Sequence, residues 1–221
     1  MKPALKPLKR PSALRDQVYD RIRHSIRSGQ IGVGAKLLEI PVSEQLGISR
    51  TPVREALALL ANEGLIVSEG RGYQVPALTG QDIADIIALR RLIEPAAAGL
   101  AAQAATADGN AALQAALACA RTAEAAGDPA EFTAANAAFR DAWIALVRNP
   151  RIARALTIYE DHVQHLRARA LSDPAVRRMV LDDMEGLAQA VAARDAGAAQ
   201  AVSDRHLGRA EAALHAALAR L

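Results

Sequence analysis

Apolar side chains recur at the three- and four-residue spacing of α-helices along most of the chain. Near the N-terminus this pattern predicts one helix over residues 15–27 and a shorter one over residues 41–46, which turns at Gly47. A third helix is predicted to begin with Thr51 as its N-cap and Pro52 at its first helical position. The residues expected to face a common core are Leu14, Val18, Ile22 and Ile26 in the first helix, and Val53, Ala56, Leu57 and Leu60 in the third.

The pattern changes after the third helix, which Gly64 is placed to end. Residues 65–67 and 73–75 are short apolar runs, and the glycine-rich segment 69–72 between them predicts a hairpin with Arg71 at its tip. Three helices followed by a hairpin form a winged helix-turn-helix. The third helix of this motif would enter the major groove of DNA.

The third helix carries Arg50 and Arg54 four positions apart, on the face left exposed. Because a guanidinium can pair with guanine through two hydrogen bonds, we expect both to contact bases or phosphates. Thr51 is expected to donate to a phosphate near the helix N-terminus, where the helix dipole favours anions. The remaining candidates for DNA contact lie in or near the wing and comprise Arg71, Gly72 and Lys36.

Several motifs resemble one known family. The run Ser-Arg-Thr-Pro-Val-Arg-Glu-Ala-Leu at residues 49–57, followed by Glu-Gly-Leu at 63–65, resembles the GntR family of bacterial transcription regulators. Residues 89–95, and 136–140 with Asn149-Pro150, resemble the all-helical effector domain, called FCD, of its FadR-like branch. The resemblance implies a mainly α protein with an N-terminal winged helix-turn-helix and an all-α helical-bundle effector domain.

Charge and breaking residues predict where these domains meet. Residues 1–77 hold 12 Lys and Arg against 7 Asp and Glu, whereas residues 78–221 hold 15 against 17. Pro76 breaks the chain, and Thr79 is placed to cap a helix with Asp82 in its first turn. Six or seven alanine-rich helices are expected to follow. The predicted organisation is a flexible basic arm at 1–11, a DNA-binding domain at 12–77, and a ligand-binding and dimerisation domain at 78–221.

Composition excludes other classes of protein. No run of 18 apolar residues suggests a membrane span, and residues 1–10 lack the apolar core of a secretory signal. Cys119 is the one cysteine, so no internal disulfide can form and a reducing cytoplasm is expected. No nucleophile with a matching base, paired carboxylates or nucleotide-binding loop is recognisable, so an enzyme is not expected.

The resemblance implies a metal pocket from which this chain departs. FCD domains hold a divalent metal with an Asp or Asn and a His on one helix and two later His. The corresponding positions here are Asn136, Arg140, Met184 and His206. Arginine stays protonated and would repel a divalent cation at short range. We therefore expect no metal and no other cofactor.

The same fixed charge suits an anion, since arginine presents a fork of donors that matches a carboxylate. The hypothesis is a pocket in which Arg140 clamps the acid group of a small carboxylate or other anionic effector, with Asn136 and His206 hydrogen-bonding it. Met184 would supply apolar contact. By family analogy Arg90 would also face the ligand, and Tyr159 is a candidate to present its hydroxyl.

The residues leave alternatives open. Arg140 could form an ordinary ion pair with an acid such as Asp141, Asp182 or Asp183, leaving no effector site. His162 and His165 could join His206 as a displaced metal set. A ligand-blind architectural DNA binder would use the helical domain only to dimerise. A homodimer on a palindromic operator is expected in each case, and repression relieved by ligand is the commoner behaviour of the family.

Overall fold

The computed structural model describes residues 12–220. The chain divides into two compact units, and the division falls after Ala77. The basic arm predicted for residues 1–11 lies outside the described residues. Within residues 12–220 the chain forms nine α-helices and one three-stranded sheet. The predicted fold class is confirmed. None of the described helices is both long and apolar enough to cross a membrane.

The N-terminal unit packs three helices against a small antiparallel sheet. The strand of residues 72–74 lies in the middle of the sheet, between the strands of residues 36–37 and 67–69. Gln74 of this central strand is opposite Lys36 on one side and opposite Val67 on the other. The core is built from the helical apolar positions and from two residues before the wing, Leu65 and Ile66. In chain order the elements are α1 (Ser12–Arg27), β1 (Lys36–Leu37), α2 (Glu39–Leu46), α3 (Arg50–Asn62), β2 (Val67–Glu69) and β3 (Gly72–Gln74).

Several element boundaries differ from the sequence prediction. Helix α3 begins at Arg50 with Ser49 as its N-cap, so Thr51 is not the cap. Pro52 did not fix the start, because the first-turn N–H groups have no partner within the helix and proline is tolerated there. Helix α2 also begins two residues early, at Glu39. Leu14 is 38% exposed and so does not belong to the core.

The wing is a hairpin as predicted, but its first strand starts two residues later than expected. Leu65 and Ile66 are buried in the core rather than paired in the sheet. The third strand, β1, was not predicted, since two residues are too few to give a pattern.

The C-terminal unit is an all-α bundle. The capping box predicted at its start is present: the Thr79 side chain accepts from the Asp82 backbone N–H, and the Asp82 carboxylate accepts from the Thr79 N–H. Its six helices within residues 78–220 are α4 (Gly80–Gln103), α5 (Ala107–Ala126), α6 (Pro129–Ala145), α7 (Pro150–Ala170), α8 (Pro174–Ala192) and α9 (Ala196–Leu218).

Small residues let the helices of this bundle approach closely. A Cβ atom built on Gly99 of α4 would lie 2.6 Å from the end of the exposed Gln200 side chain of α9, so α4 and α9 are close enough that this side chain would have to move. Ala97, Ala101 and Ala199 are fully buried in the same core. The alanine-rich composition therefore reflects close helix packing. The same packing places buried polar side chains of five helices, α4 and α6 to α9, in the interior of the bundle.

Candidate DNA-binding surface and arginine cavity

Helix α3 presents one apolar and one polar face. Val53 and Leu57 are fully buried, whereas Arg50, Thr51 and Arg54 are exposed. The α3 residues predicted to contact DNA therefore share the solvent face of the helix that the helix-turn-helix fold would place in a groove.

The first turn of α3 offers free donors. Ser49 makes no side-chain capping hydrogen bond, so the first amides of the helix are not covered by a cap. Thr51 lies in this turn, where the helix dipole favours an anion. Its predicted phosphate contact is compatible with this position although its predicted capping role is wrong.

Arg50 already has one partner in the free protein. Its Nη2 lies 3.0 Å from Oε2 of Glu39 at the start of α2. The Arg50 side chain is 62% exposed, so this is a surface ion pair of small net value. A phosphate or base can replace the carboxylate at modest cost.

The wing contributes Arg71 and Gly72 for different reasons. Arg71 is exposed in the turn next to Gly70, whose φ of +58° is the left-handed conformation that glycine adopts freely. At Gly72 a Cβ would lie 2.9 Å from the Leu37 carbonyl oxygen, so close packing against the end of β1 explains this glycine without DNA. Lys36 is exposed on β1.

A cavity lies between α4, α6, α7, α8 and α9 of the C-terminal unit, and we call it the arginine cavity. The volume of this cavity is about 40 Å³. The four positions that the family resemblance aligned with metal ligands all line it. Its lining comprises Glu94, Asn136, Phe139, Arg140, Trp143, Arg167, Asp183, Met184, Leu187, Val202, Ser203 and His206.

Arg140 is buried in an ion pair within this cavity. Its Nη1 and Nη2 lie 2.7 Å and 3.0 Å from the two carboxylate oxygens of Glu94. Its Nε is 2.9 Å from Glu160 Oε2, but the N–H is not aimed at that oxygen and makes no hydrogen bond. Arg140 therefore forms an ion pair, as one alternative had it, but its partners are Glu94 and Glu160 and not Asp141, Asp182 or Asp183. The absence of an effector site, which was the other part of that alternative, does not follow from this pairing. Arg140 also lies over the Trp143 ring, 5.4 Å from its centroid.

Arg90 pairs with both of these carboxylates, and Arg167 pairs with Glu160 alone. Arg90 is fully buried and pairs with Glu94 at 2.9 Å and with Glu160 at 3.5 Å. The prediction that Arg90 faces the ligand is wrong, because Arg90 does not line the cavity, whereas Arg167 lines it and pairs with Glu160. Burial alone would raise the pKa of Glu94, but the charges of Arg140 and Arg90 outweigh it and hold that pKa well below its usual range.

A second set of ion pairs surrounds Asp183. Arg205 and Arg209 approach its Oδ1 within 3.1 Å and 3.0 Å, and Nδ1 of His206 lies 3.3 Å from Oδ2. Burial lowers the pKa of His206 from its ordinary value, although the bond to Asp183 opposes this. The imidazole is therefore neutral at pH 7 and donates from Nδ1, because an ionised carboxylate can only accept. Its Nε2 is left as an acceptor.

One buried hydroxyl in the cavity has no partner. Ser203 is 5% exposed, and its Oγ makes no hydrogen bond in the described part of the chain. Such an unsatisfied group costs about 1–3 kcal/mol unless a ligand or water satisfies it. Tyr159, by contrast, does not line the cavity and packs against a separate apolar cluster that includes Ile83, Val163 and Leu214.

The residues present do not fit a divalent metal. Across residues 12–220 no three His, Cys, Asp or Glu side chains are grouped so that they could hold one. His162 instead makes an edge contact with Tyr159, and His206 is bonded to Asp183. The displaced set of His162, His165 and His206 is thus not brought together.

The sequence analysis missed Glu94, Glu160, Arg167 and Ser203. Arg90 and Glu94 are four apart on one helix, a spacing that indicates an ion pair. The sequence did not show that this pair would be buried. Apolar and alanine side chains occur on most sides of α4, so the pattern does not show which face of the helix points inward.

Comparison with known proteins agrees with the geometry. Residues 14–75 match the model described as bacterial regulatory proteins, gntR family, and residues 85–209 match the FCD domain. These features define a transcription regulator with a helical effector domain. The chain belongs to the GntR family of bacterial transcription regulators, in the group that carries an FCD domain.

Individual relatives cover parts of the chain. McbR of Escherichia coli is 33% identical over 125 residues, which is 56% of this chain and 57% of McbR. Its solved structure has a TM-score of 0.77 at 26% identity and covers 92% of this chain and 98% of that one. The gluconate operon transcriptional repressor of Bacillus subtilis is 42% identical over 78 residues, 35% of this chain and 32% of the repressor. The chain thus spans about half or less of the length of these curated relatives.

Proposed function

We propose that this protein is a homodimeric repressor that binds a palindromic operator, and that a small carboxylate in the arginine cavity controls its DNA affinity without a metal. The observation that carries the effector part is the excess of arginine around a cavity with an unpartnered hydroxyl. The DNA part rests on family membership and on the exposed arginines of α3. Repression is carried over from relatives such as the gluconate operon repressor.

Arginines outnumber carboxylates in both ion-pair sets at the cavity. Three arginines share Glu94 and Glu160, and two arginines share Asp183. If the buried Asp161 is counted as well, five arginines face four carboxylates. Two of the five, Arg205 and Arg209, are 46% and 41% exposed and lie outside the cavity lining, so solvent partly screens their charge. The remaining net positive charge favours an added anion.

The donors suited to that anion are Arg167 and Ser203. Arg167 lines the cavity, but both of its terminal nitrogens are paired with Glu160, so it must share them with a ligand. The Ser203 hydroxyl can donate without breaking an existing bond. Neutral His206 offers an acceptor at Nε2 and becomes a donor if it takes up a proton. Arg140 can bind the acid only when Glu94 gives up one of the two hydrogen bonds that it accepts from Arg140. The acid then competes with Glu94 for Arg140, whereas the sequence hypothesis had Arg140 free to clamp it.

Competition with Glu94 gives a route to the DNA-binding unit. Glu94 lies on α4, and α4 is the first helix after residue 77 in the chain. An acid that takes Arg140 from Glu94 changes what holds α4 to α6. A ligand that prefers one arrangement of α4 shifts the population of states and, through it, DNA affinity.

A ligand-blind DNA binder is the second candidate, and the bidentate bond between Arg140 and Glu94 favours it. In that case the buried ion pairs only fix how the helices pack. Such a protein would show no specific response to any small acid.

The test is a thermal-shift screen of chelator-treated protein with acetate, succinate, gluconate, hexanoate and inorganic phosphate, followed by DNA binding. The operator is first selected from random duplexes. We expect at least one carboxylate to raise Tm and change operator affinity, since a ligand stabilises the state it binds. If no acid changes either quantity, the ligand-blind candidate is correct.

Two variants test the assigned donors, and of these Ser203→Ala also separates binding from folding. Ser203→Ala removes the buried unpartnered hydroxyl, so it should leave the free protein as stable or more stable while weakening acid binding. Arg167→Gln should also weaken binding, whereas Arg178→Gln, an exposed arginine on α8, should not. Equal binding by all three variants and the original protein would contradict the assigned site.

A further inference from the structure

A second, apolar compartment adjoins the arginine cavity. It is walled by Leu171 after α7, Val176 and Val180 of α8, and Ala210 and Leu214 of α9, and we call it the apolar compartment. The volume of the apolar compartment is about 30 Å³.

The two spaces share a polar boundary. Asn136, Arg167 and His206 line both of them. Beyond this boundary every lining residue of the apolar compartment is Ala, Leu, Val or Met. One ligand can therefore place a charged group on one side of the boundary and an apolar group on the other.

A water molecule would find few hydrogen-bond partners in the apolar compartment. An ordered water needs two to four polar partners, and outside the shared boundary this space offers none among its side chains. A void lined by apolar groups also lowers stability in proportion to its size. An apolar ligand group would replace the missing contacts, as in other apolar cavities that stay dry and bind hydrocarbons.

We propose that the effector is an amphipathic carboxylate, with its acid group in the arginine cavity and a short alkyl or aryl group in the apolar compartment. This inference rests on the proposed effector function and names the class of acid. From Ser203 to Ala210 is seven residues along α9, or about 10 Å at the rise of an α-helix. Acids of intermediate chain length reach from one space to the other, and polyhydroxylated acids are disfavoured.

The first test uses two acids of equal length. Hexanoate and gluconate both have six carbons and one carboxylate, but gluconate carries five hydroxyl groups. We expect hexanoate to bind at least about tenfold more tightly by calorimetry, because each buried methylene adds up to about fourfold in affinity. From acetate to hexanoate the affinity should rise with each carbon.

The second test fills the compartment. Ala210→Leu places a larger side chain inside it, and the matched Ala212→Leu places the same side chain on the exposed face of α9. Because leucine and alanine are both good helix formers, both variants should fold, which circular dichroism checks. Ala210→Leu should reduce hexanoate binding at least tenfold and leave acetate binding unchanged. Ala212→Leu should change neither.

The outcomes separate this inference from the proposed function. If acids bind with no dependence on chain length, or gluconate binds as tightly as hexanoate, the amphipathic class is wrong while the effector site stands. If Ala210→Leu binds hexanoate like the original protein, the apolar compartment is not the tail site. If no acid binds at all, the proposed effector function and this inference are both wrong.

Discussion

The arginines of the two units lie in opposite environments. In the N-terminal unit Arg50, Arg54 and Arg71 are exposed, and the described partner of Arg50 is a surface carboxylate. In the helical unit Arg90 and Arg140 are buried and held by internal glutamates. Water solvates an exposed guanidinium until it binds a phosphate, whereas a buried guanidinium needs an anion of the same chain to offset its lost solvation. The comparison shows why the first set suits DNA and the second suits a ligand that competes with internal carboxylates.

Arg177 shows that burial alone does not make an arginine a binding residue. It is 4% exposed, and it donates to Glu124 and to the backbone carbonyls of Leu171 and Ser172. Around the arginine cavity, by contrast, Arg90 Nη1 and Arg140 Nε are buried without a hydrogen bond. The cavity set is less completely satisfied than this structural arginine, as expected of groups that exchange partners.

The largest expected effect removes an internal anion. Glu94→Ala leaves Arg90 and Arg140 without their closest carboxylate, and breaking a buried pair in this way costs about 3–5 kcal/mol. Urea unfolding of the helical unit measures it. Glu185→Ala, which breaks the partly exposed pair with Arg121, should cost less than about 1 kcal/mol. Equal losses in the two variants would remove the distinction between buried and exposed arginines.

The second prediction concerns the exposed set. Arg54→Ala should weaken operator binding by about 1–3 kcal/mol if the side chain reads a base, and leave the free energy of unfolding unchanged. Titration of a labelled operator duplex measures this, with Arg178→Ala in the helical unit as the control. A loss of stability in place of affinity would show that Arg54 has a structural role.

Acid should act mainly on the buried set. The pKa of His206 is lowered from 6.5 in the folded protein, so the unfolded chain takes up its proton first as pH falls. Stability contributed by His206 is therefore present above pH 6.5 and lost below it, with a slope of at most about 1.4 kcal/mol per pH unit. The lowered pKa of Glu94 extends the loss below pH 4.5. Denaturant midpoints against pH measure it. His206→Gln should reduce the loss that begins near pH 6.5 and leave the part due to His165, whose pKa is also lowered by burial.

The smallest effect is expected at the surface pair in the DNA-binding unit. Glu39→Gln removes the carboxylate that competes with phosphate for Arg50, so DNA affinity should rise by about 0.2–1 kcal/mol at low salt. The gain should shrink as salt increases, since the interaction is screened. A fall in affinity would mean that Glu39 positions Arg50 for DNA.

The sequence predicted the two kinds of region unequally. Period and turn residues were enough for the winged domain. The family resemblance, and not the periodicity, placed Asn136, Arg140, Met184 and His206 around one cavity. The predicted start of α3 was wrong because serine and threonine are both good N-caps, so Ser49 and Thr51 were equally suitable. The partners of Arg140 were wrong because they come from α4 and α7, distant in sequence, and only packing shows which acid meets which arginine.

The most direct test of the account is the metal and ligand content of the protein purified without chelators. Elemental analysis and native mass spectrometry on one sample give both. The account predicts no stoichiometric divalent metal, and a retained carboxylic acid with an apolar group. One zinc, nickel or manganese ion per chain would contradict it, because a cation would then be bound where buried arginines are proposed to hold an anion.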